Sequence, residues 1–145
     1  MIAVDTGYFY ALADRRDVWH AKALLCAEWV ADEGMATTWP VLAEACHLLA
    51  SRLGPRFATE LMGDVVEGGI VVWSPPAAAI AGIPPLMRKY ASLPMDLADA
   101  SLVLLAEHLG HGRILSTDLR DFGARPHKFG WKNRKPFKNL MTETA

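Results

Sequence analysis

Four acidic side chains in one short stretch carry the first chemical signal of this chain. Between Pro94 and Phe122, Asp96 and Asp99 lie three residues apart, and Asp118 and Asp121 repeat that spacing. On a helix of 3.6 residues per turn, Leu97, Ala98, Ser101, Leu102, Leu104, Leu105, His108 and Leu109 share one broad arc, with Asp96, Asp99 and Glu107 on the remaining side. Asp99 falls at the border of the apolar arc, where a carboxylate emerges between the helix and its neighbours. Gly110 and Gly112 end the helix. Arg113-Ile114-Leu115-Ser116 then reads as a short buried strand, with Asp118 leaving its end. Ligands of open α/β sheets sit outside the carboxyl ends of the strands, so Asp118 stands where a site belongs. A plainer reading competes for Asp96 and Asp99: carboxylates in a first helical turn complement the helix dipole without further purpose.

Two more acids occupy comparable places. Asp5 ends the apolar run Met1–Val4 and precedes a helix, where it or Thr6 also serves as a cap. Glu44 lies on the shoulder of a helix that begins just after the second predicted strand; an exposed helical Glu is more often simply solvated. Asp5, Glu44, Asp99 and Asp118 thus come from four segments, each beside a strand terminus, and a parallel sheet brings such segments to one edge. Converging carboxylates repel and raise one another's pKa unless a cation compensates. Hard oxygen ligands suit Mg²⁺ or Mn²⁺. Such a set permits displacement at phosphorus by a metal-activated water.

The elements that must position these residues alternate along the chain. Met1–Val4 is the first strand, followed by a helix over Tyr8–Ala13 and a second over about Val18–Asp32 with Trp19, Ala23, Cys26 and Val30 at core spacing. Met35–Thr37 is the second strand. Thr38 caps the next helix, Pro40 is tolerated in its first turn, and Val41, Leu42, Ala45, Cys46, Leu48, Leu49 and Leu53 form its apolar face. A helix over Arg56–Glu67 leads to the third strand, Ile70–Trp73; a helical segment after Pro75-Pro76 is interrupted by Pro84-Pro85. This alternation predicts one α/β domain over 1–145 with a largely parallel sheet. Past Phe122 the pattern fails: 127–131 reads as a last edge strand, and the remainder as a basic tail from about 123.

Composition narrows the options further. The chain has 145 residues, 52% of them hydrophobic and 21% charged, as in a globular domain. Residues 1–121 carry 9 basic and 15 acidic side chains; residues 122–145 carry Arg125, Lys128, Lys132, Arg134, Lys135 and Lys138 against Glu143 alone. An acidic body with a basic tail suits a cation-demanding site beside a surface for a polyanion, or a tail that is merely solvated. Cys26 and Cys46 show no CxxC pattern and read as core thiols of a cytoplasmic protein. No apolar run of 18 residues marks a membrane span. GxSxG, Walker and GxGxxG motifs are absent, and the five histidines lack zinc-ligand spacing.

Taken together, Asp5-Thr-Gly-Tyr-Phe-Tyr-Ala-Leu, the helix around Glu44, Leu97-Ala-Asp99-Ala-Ser-Leu and Ser116-Thr-Asp118-Leu-Arg-Asp121-Phe122 resemble the PIN-domain ribonucleases, many of them VapC-type toxins of VapBC toxin–antitoxin pairs. The resemblance covers roughly residues 2–122. It implies a PIN-like three-layer α/β fold, with about five mostly parallel strands flanked by helices, and a Mg²⁺- or Mn²⁺-dependent endoribonuclease. The acidic quartet carried over is Asp5, Glu44, Asp99 and Asp118, as catalytic groups and metal ligands. Asp96, Asp121, Ser116 and Thr6 match accessory positions; the Ser116 position more commonly holds threonine. Arg120, Arg125, Lys128, Lys132, Arg134 and Lys135 are candidates for contact with RNA. The implied partners are an RNA substrate and a small antitoxin protein, and a surplus of exposed apolar residues suggests a homodimer. Three other readings use the same residues: a PIN-domain nuclease of RNA processing, a non-catalytic RNA- or protein-binding module, and a metal-dependent phosphatase.

Overall fold

Short, largely buried runs make the sheet. Ile2–Val4 (β1), Met35–Thr38 (β2), Ile70–Trp73 (β3) and Arg113–Leu115 (β4) are each three or four residues long. They are joined by helices, as parallel strands require. The structure, a computed structural model, describes residues 1–122, 129–132 and 135–143. Its main sheet runs β3-β2-β1-β4-β7, where β7 is Lys138–Asn139, and all its pairings are parallel. β1 is central: Ala3 stands opposite Ala36 of β2 on one side and Ile114 of β4 on the other. Helices flank the sheet, as expected of the α/β architecture.

The helices that carry the acids start at side-chain caps. Thr6–Ala13 (α1) is capped by Asp5, whose carboxylate accepts from the Thr6 N–H at 2.7 Å. His20–Trp29 (α2) buries Ala23 and Cys26. Trp39–Arg52 (α3) begins at Thr38 with proline in its first turn, and buries Val41, Leu42, Ala45 and Leu49. Pro55–Val66 (α4) packs on α3. Ala77–Ile80 (α5) and Ile83–Lys89 (α6) follow β3. Pro84 and Pro85 do not interrupt α6 but lie in its first turn, where a missing N–H costs no intrahelical bond. Leu97–Leu109 (α7) is buried along nearly its whole length, from Ala98 to Ala106 apart from Asp99, because it packs on α3, α6, β1 and β2 together. Gly110 ends it in the left-handed conformation at φ +79°, open to glycine without strain.

The C-terminal segment departs most from expectation. After Leu119–Phe122 (α8), Gly130–Trp131 (β5) is a strand, but it pairs antiparallel with Lys135–Pro136 (β6) in a separate ribbon. The fifth strand of the main sheet is β7, inside what reads from the sequence as tail. Phe129, Trp131, Phe137, Leu140 and Met141 are buried there. Phe122 meets Phe129 and Phe137 edge to face, with ring centroids 5.7 and 5.0 Å apart. Trp131 sits against Gly112; a Cβ at that glycine would lie 2.3 Å from the indole nitrogen. Cys26 and Cys46 are both free thiols. No helix among the described residues is long and apolar enough to cross a membrane.

Candidate active site

The carboxyl ends of β1, β2 and β4 open into one cleft of about 680 Å³. Asp5 and Glu44, the pair Asp96 and Asp99, and the pair Asp118 and Asp121 line it, together with Thr6, Gly7, Thr117 and Trp19. Arg120 is the one cation on its wall among the described residues. Asp5 reaches it from the end of β1 and Asp118 from the turn after β4. Glu44 reaches it from the second turn of α3, where it is exposed. Asp96 and Asp99 arrive together at the start of α7. Asp96 is the N-cap, accepting from the Asp99 N–H at 2.8 Å, and Asp99 returns the bond by accepting from the Asp96 N–H at 3.1 Å. The dipole reading of this pair was therefore half the story: the two acids cap α7 and face the cleft as well.

Beneath the carboxylates lies a seam of buried polar groups. Among the described residues the buried polar side chains are Asp5, Thr6, Thr37, Thr38, Ser101, Ser116 and Asn139, and none is left without a hydrogen bond. Except for Ser101, in the second turn of α7, and Asn139, they belong to strand ends or helix starts at this edge. The Thr38 hydroxyl meets the Ser101 hydroxyl at 2.6 Å, fastening the start of α3 to α7 two residues beyond Asp99. The Ser116 hydroxyl donates to Asp5 at 2.9 Å and accepts from the Asp118 N–H at 3.0 Å, linking two acids through one oxygen. Asp118 in turn accepts from the N–H groups of Arg120 and Asp121 at 3.1 and 3.2 Å. The Arg120 side chain approaches it at 3.8 Å, but it is largely exposed, so the pair is weak.

This geometry has an electrostatic cost. Burial pushes the Asp5 carboxyl up to about 6; the bonds from Ser116 and Thr6 pull it down, and the charges of Glu44 and Asp118 push it up again. Burial also raises Asp99 well above the ordinary carboxylate range; the Asp96 N–H opposes the rise, and the Asp96 and Asp5 charges add to it. Such a site favours protons or a cation. No three acidic, histidine or cysteine side chains among the described residues stand close enough to form a ready-made metal cage. A hydrated Mg²⁺ or Mn²⁺ needs no such cage, since it keeps several waters and takes one or two carboxylates. The donors are all oxygens and several acidic side chains face the cleft, so the chemistry of the site suits a hard divalent ion.

The other candidates lie elsewhere. Lys138 pairs with Arg113 at the entry of β4, the opposite end of the strand from Asp118. Lys135 lies over the Trp131 ring, 5.3 Å from its centroid, and that ring rests on Gly112. Lys132 is exposed with φ +32°. None of these three lines the cleft. Arg125, Lys128 and Arg134 lie outside the described residues. Sequence reasoning passes over Thr117 and Trp19, which line the cleft, and Asn139, which supports Ser116 beside it. Trp19 was assigned to the core by its spacing, and its ring does pack on the core while also walling the cleft. Thr117 lies inside the Ser116-Thr-Asp118 motif but has no role assigned there, and Asn139, which carries no motif, meets the site only through Ser116.

No protein-family model matches the chain. In sequence it is similar to Ribonuclease VapC26 of Mycobacterium tuberculosis strain H37Rv, with 28% identity over 121 residues, 83% of this chain and 89% of that protein. In structure it is similar to VapC20 of Mycobacterium tuberculosis, described as a toxin that cleaves the sarcin–ricin loop. The TM-score is 0.70 at 20% identity, covering 82% of this chain and 91% of the other.

Proposed function

We propose that this chain, which has the fold of the VapC-type PIN-domain proteins and resembles one of them in sequence over most of its length, is a Mg²⁺- or Mn²⁺-dependent endoribonuclease and the toxin of a toxin–antitoxin pair. The observation that carries the reading is the convergence of Asp5, Glu44, Asp99 and Asp118 on one cleft above a hydrogen-bonded polar seam. When bound, the metal ion supplies Lewis acidity at phosphorus and lowers the pKa of an attacking water. The chain's own part is to place the acids. Ser116 holds Asp5 and the Asp118 backbone, Asp96 holds Asp99, and the Thr38–Ser101 contact sets α3 against α7. Arg120, at the wall, is the group placed to meet a phosphate of the substrate. Trp19, half-buried at the cleft wall, is an aromatic against which a base would stack. The expected result is cleavage of RNA by the purified protein with Mn²⁺ or Mg²⁺, abolished by EDTA and restored by excess metal. Intact RNA under every metal condition would end the nuclease reading.

The partner half of the proposal rests on a second, larger groove of about 1160 Å³. Phe9, Leu12, Leu24, Leu49, Leu53 and Phe57, from α1, α2, α3 and α4, give it an apolar wall. An amphipathic segment of a small antitoxin fits such a groove, and an antitoxin arginine reaching the acids would pair with them bidentately. Exposed Trp39 and Leu97, at the starts of α3 and α7, support homodimerisation. Co-expression with a short reading frame immediately upstream should yield a copurifying complex with suppressed nuclease activity. Activity and toxicity indifferent to that partner would remove the toxin role and leave the nuclease.

A further inference from the structure

The strand that completes the sheet also reaches the acids. The Asn139 side chain is buried, and its amide brackets Ser116 just past the end of β4. Its Nδ2 donates to the Ser116 carbonyl at 2.8 Å, while its Oδ1 accepts from the Ser116 N–H at 3.2 Å and from the Met141 N–H at 3.1 Å. A side-chain amide here replaces the next rung of a parallel ladder, whose last backbone pairing is Ile114 with Asn139. Both polar backbone atoms of Ser116 are thereby fixed, and with them the stretch of backbone from which its hydroxyl projects. That hydroxyl in turn holds the Asp5 carboxylate and the Asp118 N–H. A primary amide is the one side-chain group that offers a donor and an acceptor side by side, in the geometry of a peptide unit.

We infer that Asn139 is a positioning residue for the acid cluster: it acts through Ser116 to hold Asp5 and Asp118 at the spacing the reaction needs, so the C-terminal segment is part of the active site. The inference rests on the proposed nuclease reading. Four proteins form the test: wild type, Asn139→Ala, Ser116→Ala and the double variant. Each is measured for apo melting temperature, for Mn²⁺ affinity by titration without RNA, and for kcat and KM well below the melting point. In the wild-type background Asn139→Ala should lower kcat on the order of 10–100-fold and weaken Mn²⁺ binding with little change in KM, since a small displacement of reacting groups costs that much. In the Ser116→Ala background, where the hydroxyl relay is already cut, the same change should cost little more in kcat or Mn²⁺ affinity. Asn139→Asp sets a second acceptor against the Ser116 carbonyl and adds a buried charge beside the acids, so it should restore none of what Asn139→Ala loses. Losses that add fully across the two sites, or Mn²⁺ affinity and kcat unchanged while only the melting temperature drops, would make Asn139 merely structural and overturn the inference. A wild-type protein that neither binds Mn²⁺ nor cleaves RNA would overturn the nuclease reading itself, and this inference with it.

Discussion

Asp5→Asn, Asp99→Asn, Asp118→Asn and Glu44→Gln should each reduce RNA cleavage on the order of 10²–10³-fold or more, comparable to losing one oxyanion-hole donor. These changes keep shape and remove charge. The amide oxygen of Asn can still accept from the Thr6 N–H at position 5, from the Asp96 N–H at 99, and from the Arg120 and Asp121 N–H groups at 118. Stability should move the other way. Asp5 in the folded chain has its pKa raised from 3.8 to about 6, so the native state holds this proton more tightly than the unfolded state does. The cost of ionising it is absent below about pH 4, grows as the pH climbs through 6, and is complete above. Metal-free Asp5→Asn should therefore melt higher than wild type at pH 7–8, with the difference closing as the pH is lowered to 4. Mg²⁺ should raise the melting temperature of each variant less than that of wild type. Asp96→Asn and Asp121→Asn should lose less activity; asparagine caps a helix as well as aspartate does. Nuclease rates and apo melting curves for all six variants decide the matter. Full activity in Asp99→Asn or Asp118→Asn, or losses that simply follow unfolding, would refute the assignment.

Gly7→Ala should lower kcat on the order of 10-fold although no chemical group is lost. Gly7 is the second residue of α1 and lines the cleft. A Cβ there would lie 2.0 Å from the Thr117 hydroxyl oxygen and 3.2 Å from the Thr117 Cβ. Rotation of Thr117 relieves the first contact but not the second, so the start of α1 must move away from the 116–118 turn. These are the two segments that carry Asp5 and Asp118. Overpacking of this kind costs about 1–3 kcal/mol, which leaves the protein folded. The remaining 3.2 Å contact asks for a shift of a few tenths of an ångström, smaller than the roughly 1 Å that costs about 10²-fold, so the loss is correspondingly smaller. Shortening the opposing side chain, as Gly7→Ala with Thr117→Ala, should recover much of the activity. Wild-type kcat in Gly7→Ala would mean that the turn yields without disturbing the acids.

Where sequence and structure agree, the reason is local chemistry. Thr38 before Trp39-Pro40, Gly110 after Leu109, the apolar triplet of β1 and the Ile114-Leu115 pair of β4 each declare a boundary through capping, backbone freedom or burial, so most of the parallel core was legible. Pro84-Pro85 misled, because a proline pair reads as a break in mid-helix and as a start in a first turn, and the chain alone does not say which. β7 was illegible for a different reason: Lys138–Asn139 is two residues long, polar, and has no periodicity to detect. Its place is set by pairing with β4 and by the aromatic packing of Phe122, Phe129 and Phe137. Of the cleft, the acids were visible as types at strand ends, but the hydrogen bonds that aim them were not. Ser116 and Asn139 are 23 residues apart, and Ser116 and Asp5 are 111 apart. Helical or strand periodicity cannot report contacts at such separations.

The position of β1 at the centre of the sheet also bears on the order in which the molecule assembles. The first strand to be synthesised pairs with β2 early, but its other neighbour, β4, arrives more than a hundred residues later. Closing so long a loop must precede the gain from the pairing, which slows folding relative to a chain with local contacts. Until β4 docks, Asp5 has neither the Ser116 hydroxyl nor Asp118 beside it. A growing chain that ends before β4 therefore carries three of the four acids without a cluster, and any hydrolytic capacity waits for the late strands to close the edge.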